Sequence, residues 1–263
     1  MHLMVQFFPS RTVAIAIGNF AVHWYGIMYL LAFLLTFFLV PILQKRRGLA
    51  LSKDEWSSLL TWGVLGVILG GRLGYVLFYE PSYFLQYPLE IVAIWKGGMS
   101  SHGGFIGVTL LLSYAIRKRG ISLLAVADVL AVPVAIGLSF GRIGNFINQE
   151  LYGTVTTMPW GIAIPGVEGL RHPTQLYATA KDLFIAAMCY WYLRRIKPPV
   201  PSRVLALLIM SYGVLRFLNE YLRVQTYPLT DLGVIVLTRG QLLTIPIFLL
   251  GVVLWVWAKR RET

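Results

Sequence analysis

Seven stretches of mostly apolar residues divide this chain, at 22–44, 56–79, 99–116, 122–140, 175–193, 204–222 and 241–258. Each comes close to the roughly 20 residues that a helix needs to cross the hydrocarbon core of a bilayer. Their weight shows in the composition, which is 57% hydrophobic and only 13% charged, with a mean hydropathy of +0.69. A soluble domain carries about 25% charged residues. The expected fold class is therefore an all-α integral membrane protein with seven transmembrane helices.

The net charge of +12 raises the question of nucleic acid, but its distribution argues against such a partner. Lys and Arg gather in short runs between the apolar stretches: Lys45-Arg46-Arg47, Arg117-Lys118-Arg119, Arg194-Arg195-Ile196-Lys197 and Lys259-Arg260-Arg261. If the first span runs inward, segments 45–53, 117–119, 194–203 and 259–261 hold fourteen basic residues on the cytoplasmic side; 1–21, 80–98, 141–174 and 223–240 hold six outside. The positive-inside bias then sets the N-terminus out and the C-terminus in. Residues 1–18 lack a basic n-region followed by a small-residue cleavage site, so no removable leader is expected. Cys189, the single cysteine, lies in an apolar run and reads as a small buried hydrophobe, not a nucleophile.

Two outer segments are long enough to have structure. Residues 80–98 are aromatic and proline-punctuated, which suits the membrane interface. Residues 141–174 read as a small extracytoplasmic cap between spans four and five, with a hairpin suggested by the alternation Trp160-Gly161-Ile162-Ala163-Ile164-Pro165. No internal repeat or low-complexity tail interrupts the chain, so 1–263 reads as one polytopic domain.

Polar residues collect toward one side. Arg142, Asn145 and Glu150 follow span four, His102 opens span three, His172 precedes span five, and Arg216, Glu220 and Arg223 end span six. Ionisable groups at such depth usually mark a functional site. Arg142 and Asn145 stand three residues apart, and Arg216 and Glu220 four apart, so each pair shares a helix face. Two readings stand for Arg216 and Glu220: an ion pair that lets both survive near lipid, or an anion site. Arg142 has no acidic neighbour at helical spacing, which suits a phosphate held by the planar guanidinium, or snorkelling to the interface. His102, within Ser101-His102-Gly103-Gly104, reads as a general base or as a hydrogen-bonded interfacial histidine. His172 before Pro173 reads at least as well as a loop brace. His23 and His2 carry little weight. Gly66, Gly70, Gly71 and Gly74 around Arg72 form a close-packing pattern, with Arg72 in support. Asp128 reads as a packing or interfacial group. No spacing for a metal site, a nucleophile elbow or a phosphate loop is present, so neither metal nor cofactor is expected.

These strings resemble the bacterial prolipoprotein diacylglyceryl transferases. The resemblance rests on His23-Trp24-Tyr25-Gly26-Ile27-Met28-Tyr29, Gly71-Arg72-Leu73-Gly74-Tyr75 and Gly97-Gly98-Met99-Ser100-Ser101-His102-Gly103-Gly104. It continues through Gly141-Arg142-Ile143-Gly144-Asn145-Phe146-Ile147-Asn148, Glu150-Leu151-Tyr152-Gly153 and Arg171-His172-Pro173-Thr174-Gln175-Leu176-Tyr177. It closes with Tyr212-Gly213, Arg216-Phe217, Glu220 and Gly240-Gln241, in the family's order over nearly the whole chain.

The resemblance implies an enzyme that moves the diacylglyceryl group of phosphatidylglycerol onto the lipobox cysteine of a preprolipoprotein signal peptide. The product is a thioether, and sn-glycerol 1-phosphate departs. It implies a multi-pass protein of the bacterial cytoplasmic (inner) membrane, working at the outer leaflet in contact with the bilayer. It also implies roles: Arg142 and Arg216 at the phosphate, His102 as the base, and Arg142, Asn145, Glu150 and Gly153 in lipid binding. Tyr25, Tyr212 and Glu220 would orient the headgroup, with His172 and Arg72 in support. Tyr25 and Glu150 are the alternative bases.

Three positions depart from the family pattern. Ser101 replaces an aromatic residue, Ala178 an acidic one, and Arg239 an apolar one. A transporter of anionic solutes would place its polar groups at the midplane, usually between paired repeats; here they stand at one end and no repeat is present. A non-catalytic scaffold leaves four converging polar segments without a purpose.

Overall fold

The computed structural model describes residues 5–18, 20–195, 200–225, 229–231, 233 and 236–259. His2 and the basic residues at 197, 260 and 261 lie outside them. Among the described residues the helices are α1 (Trp24–Arg47), α2 (Lys53–Phe78), α3 (Pro81–Gln86), α4 (Ser101–Lys118), α5 (Leu123–Asn148), α6 (Thr174–Arg195), α7 (Arg203–Glu220) and α8 (Arg239–Lys259). Every expected span coincides with one of the seven long helices. Four of them, α1, α2, α5 and α8, are long and apolar enough to cross a membrane, with mean hydropathies of 2.5, 1.5, 2.2 and 2.1. The chain is thus a mostly helical membrane protein. Helices α4, α6 and α7 fall short of that apolarity: α6 carries Lys181 and Asp182 in its middle, and α7 carries Arg216 and Glu220.

Contacts gather into two units, residues 1–48 with 127–263, and residues 49–126. In the smaller unit α2 begins with a reciprocal cap: Glu55 N–H donates to the Ser52 hydroxyl at 3.2 Å, and Ser52 N–H donates to the Glu55 carboxylate at 2.7 Å. Helix α4 packs against α2 through glycines on both. A Cβ on Gly66 would stand 2.6 Å from the Val108 Cα, and one on Gly74 would stand 2.8 Å from the Gly103 Cα. The small-residue stripe is a backbone-to-backbone seam, as its spacing predicts. Between the two helices, residues 80–98 form α3 and two single 3-10 turns, Pro88–Val92 and Ile94–Lys96.

The larger unit holds α1, most of α5, and α6 to α8. Two small sheets join them: antiparallel β1 (Val5–Phe7), β2 (Val13–Ile17) and β3 (Phe20–His23), and the pair β4 (Thr230–Asp231) and β5 (Val236–Leu237). Neither sheet follows from the apolar pattern. Its core includes Val129, Ile185, Leu193, Val204 and Cys189, all buried. Leu30, Leu34 and Phe38 of α1 and Leu249 and Val253 of α8 are exposed apolar side chains, as a lipid-facing surface requires.

Asp128 turns out to be a keystone of this unit. Its buried carboxylate pairs with Arg47 at the end of α1, 3.0 Å from Nε. It also accepts the backbone N–H of Ser202 at 3.0 Å and of Leu205 at 2.9 Å. It thereby caps α7 from another helix, where Ser202 itself makes no side-chain cap.

The cap differs from expectation at both ends. Helix α5 continues through Gly141 to Asn148, beyond the expected end of span four, so Arg142 and Asn145 have the helical spacing read from the sequence. The expected hairpin near Trp160–Pro165 is reduced to isolated bridges: Val155 and Ile162 each pair with Arg171, and Gly153 pairs with Arg223. Pro165 lacks an N–H, and Gly166 and Gly169 turn the backbone left-handed at φ 76° and 73°, which ends any ladder.

Candidate active site

In the larger unit five helix ends meet: the starts of α1, α6 and α8 and the ends of α5 and α7. Their first or last turns carry Tyr25, Gln175, Gln241, Asn145 and Glu220. The basic runs Lys45–Arg47 and Arg194–Arg195 lie at the other ends of their helices.

Glu150 gathers the first cluster. Its carboxylate accepts the Tyr25 hydroxyl at 2.8 Å and the Asn148 amide at 3.1 Å. The Asn145 amide donates to the Tyr25 hydroxyl and reaches the same carboxylate at 3.5 Å. The backbone around it is strained: Gln149 and Leu151, on either side, adopt φ 59° and 56°, a region that costs a non-glycine residue about 1–2 kcal/mol. Such outliers persist where surrounding contacts hold them. Here Gln175 donates to the Glu150 carbonyl at 2.6 Å and Thr174 to the Leu151 carbonyl at 2.8 Å. Gly144 lets the ring of Tyr25 approach, since a Cβ there would stand 3.1 Å from it.

Arg142, one helical turn before Asn145, donates from Nη1 to Asn145 Oδ1 at 3.4 Å. Among the described residues it pairs with no carboxylate. Together with Asn145, Gln175, Ala178, Arg216, Asn219 and Arg223 it lines a small recess. Arg216 forms the ion pair with Glu220 that its spacing allows, and Arg223 approaches the same carboxylate at 3.8 Å. Three guanidinium groups thus face one recess, and among the described residues Glu220 is the carboxylate that pairs with two of them. Burial lowers the pKa of Arg223, while the neighbouring Glu220 opposes that shift. A cavity of about 580 Å³ adjoins, lined by Glu220, Arg223, Thr154, Leu229, Val236 and Gln241 among others. Gly240 admits the Glu220 carboxylate, because any Cβ there would overlap it.

Gly153 is a crossing point. Its N–H donates to the His172 carbonyl at 2.8 Å, and a Cβ would meet the His172 Cβ and the Leu222 carbonyl, both at 2.6 Å. The His172 ring lies 3.1 Å from the Tyr177 hydroxyl, which also accepts the Trp160 indole N–H at 2.6 Å. The Tyr177 hydroxyl thus joins His172 to Trp160.

Arg72 and His102 belong to the smaller unit. The Arg72 guanidinium donates to the carbonyls of Glu90, Ile91, Gly97 and Gly98, at 2.6, 2.8, 2.5 and 3.0 Å, and lies over the Phe84 ring. It organises the segment that leads to α4. His102, exposed in the first turn of that helix, follows Ser100, whose hydroxyl accepts the Gly103 N–H at 3.2 Å.

Sequence reasoning passed over a buried pair on α6. Lys181 and Asp182 form an ion pair, and the Lys181 ammonium lies 4.3 Å from the centre of the Tyr212 ring. Two adjacent charges inside an apolar run were the available signal.

The family model described as prolipoprotein diacylglyceryl transferase matches residues 12–257. A phosphatidylglycerol–prolipoprotein diacylglyceryl transferase of Bordetella avium is 43% identical, with 99% of each chain covered. The protein of that name in Nitrosomonas europaea is 45% identical over 98% of this chain and 92% of its own. The one in Geobacter sulfurreducens is 43% identical over 98% and 99%. The motifs and the full-length matches agree: this chain belongs to the prolipoprotein diacylglyceryl transferase family, a family of membrane transferases.

Proposed function

We propose that this protein transfers the diacylglyceryl group of phosphatidylglycerol to the lipobox cysteine thiol of preprolipoproteins, the first step of bacterial lipoprotein maturation. The observation that carries this reading is the recess with three arginines, in which Arg142 has no carboxylate partner among the described residues. A phosphodiester fits that excess of positive charge, because a guanidinium grips phosphate oxygens through two parallel N–H donors.

In the proposed reaction the acceptor sulfur forms a bond to the terminal glycerol carbon of the diacylglyceryl group. The carbon–oxygen bond to phosphate breaks, and its electron pair leaves with sn-glycerol 1-phosphate. Arg142 and Arg216 offset the charge that builds on the departing phosphate. The thiol, with a free pKa of about 8.5, must lose its proton. By family resemblance that proton goes to His102, with the Tyr25–Glu150 pair as the alternative. Asn145, Glu150, Gly153, Tyr25, Tyr212 and Glu220 shape and orient the headgroup site.

The reading includes seven spans, the N-terminus outside, and a site at the outer leaflet of the bacterial inner membrane. The positive-inside bias supports this orientation. So does the separation of polar cluster and basic runs at opposite helix ends in the larger unit. The test is incubation of the purified protein with phosphatidylglycerol and a lipobox peptide. Thioether-linked diacylglycerol and free glycerol phosphate are the expected products; the absence of both overturns the reading.

A further inference from the structure

A charged pair in the middle of α6 has no part in the scheme so far. Lys181 and Asp182 are buried at 9% and 0% exposure. Taking two charges out of water is costly, and the pair's mutual attraction alone is weak evidence of stabilisation. Asp182 also keeps one carboxylate oxygen, Oδ2, buried without a hydrogen-bond partner among the described residues. A pair of well-packed apolar residues would serve the fold at least as well, so the pair's location is informative.

That location is defined on two sides. On α6, Gln175, Ala178 and Lys181 recur at intervals of three residues and share a face, and the first two line the arginine recess. On α7, Tyr212, Arg216 and Glu220 recur at intervals of four. The Lys181 ammonium rests on the Tyr212 ring at 4.3 Å, one turn before Arg216. The pair also lies within the electrostatic reach of both Arg142 and Arg216.

We propose that Lys181 is a positioning residue that holds the Tyr212 ring by a cation–π contact and directs its hydroxyl as a donor to the lipid headgroup phosphate. The inference rests on the proposed phosphatidylglycerol reading. A cation on one face of a phenol fixes the ring and draws electron density from it, which strengthens the O–H donor. Asp182 holds the ammonium over the ring and balances its charge. This division explains why a lysine can stand among arginines without joining the recess lining. It also gives the pair a purpose that simple packing leaves unexplained. The effect falls on binding of the headgroup, so it belongs in KM more than in kcat.

The experiment compares wild type, the doubly neutralised K181M/D182N, the cation-retaining K181R, and each pair substitution in a Y212L background. Turnover is measured with phosphatidylglycerol vesicles and a lipobox peptide, and Tm is followed in detergent. A desolvated cation–π contact is equivalent to roughly tenfold or more in affinity. The expected result is a KM for phosphatidylglycerol raised about tenfold in K181M/D182N, with kcat changed less than about threefold. K181R should stay within about threefold of wild type, because a guanidinium also stacks on an aromatic face. In the Y212L background, K181M/D182N should add less than about twofold, since the ring it acts through is gone. An unchanged KM in K181M/D182N overturns the inference while wild-type activity preserves the functional reading. So does an equal further loss in the Y212L background, or a lowered Tm with kcat reduced and KM intact, either of which marks a structural role. Failure of wild type to form the thioether overturns the functional reading itself.

Discussion

Arg142 illustrates how little separates a structural arginine from a binding one. Arg72 spends four of its five N–H donors on backbone carbonyls. Arg216 shares Glu220 with Arg223. Among the described residues Arg142 has one amide oxygen at 3.4 Å, which leaves donors for phosphate oxygens. His102 is the second decisive residue. If it accepts the thiol proton, H102Q should lower turnover by about a hundredfold, within the usual range for general-base catalysis, with little change in Tm. Full activity in H102Q would move the role to Tyr25 and Glu150, which already share a hydrogen bond at 2.8 Å. Arg142 with Asn145 and Arg216 with Glu220 were legible in the sequence because helical spacing places such pairs on one face. Lys181 and Asp182 were not, because adjacent residues on a helix do not share a face and no spacing rule ties either one to Tyr212.

At the scale of elements, helix ends carry the chemistry and distant side chains hold those ends in place. Asp128 is the clearest case, joining the C-terminal turn of α1 to the N-terminus of α7 through one buried carboxylate. Asp128→Ala leaves Arg47 buried without its partner and the first turn of α7 uncapped. It should destabilise the protein by about 3–5 kcal/mol, read as a lower denaturation midpoint in detergent. A change below about 0.5 kcal/mol would mean that Arg47 and α7 find other partners. No spacing rule could have revealed this link, because its partners stand 81 and 74 residues apart. The run of α5 beyond residue 140 was hidden for a different reason. Its last two turns are polar and glycine-bearing, so the apolar pattern stops short of them although the spacing of Arg142 and Asn145 is helical. Strands β1 to β3 escaped because their alternation is submerged in a sequence that is apolar throughout.

The molecule as a whole sorts charge along its helices. In the larger unit the arginine recess occupies one set of helix ends, and Lys45–Arg47 and Arg194–Arg195 occupy the other. The proposed orientation puts the recess outside and the basic runs in the cytoplasm. Single cysteines test it, since Cys189 is buried and out of reach of a polar reagent. In intact spheroplasts a membrane-impermeant maleimide should label E168C in the cap, and K118C only after lysis. The reverse pattern would invert the topology and remove the outer-leaflet site.

The most direct measurement is the rate of thioether formation by Arg142→Ala at saturating phosphatidylglycerol and lipobox peptide, against wild type in the same vesicles. If Arg142 stabilises the departing phosphate, the rate falls on the order of a hundredfold or more while the protein stays folded. Near-normal turnover by a folded Arg142→Ala protein would contradict the account and return this arginine to the status of an interfacial charge.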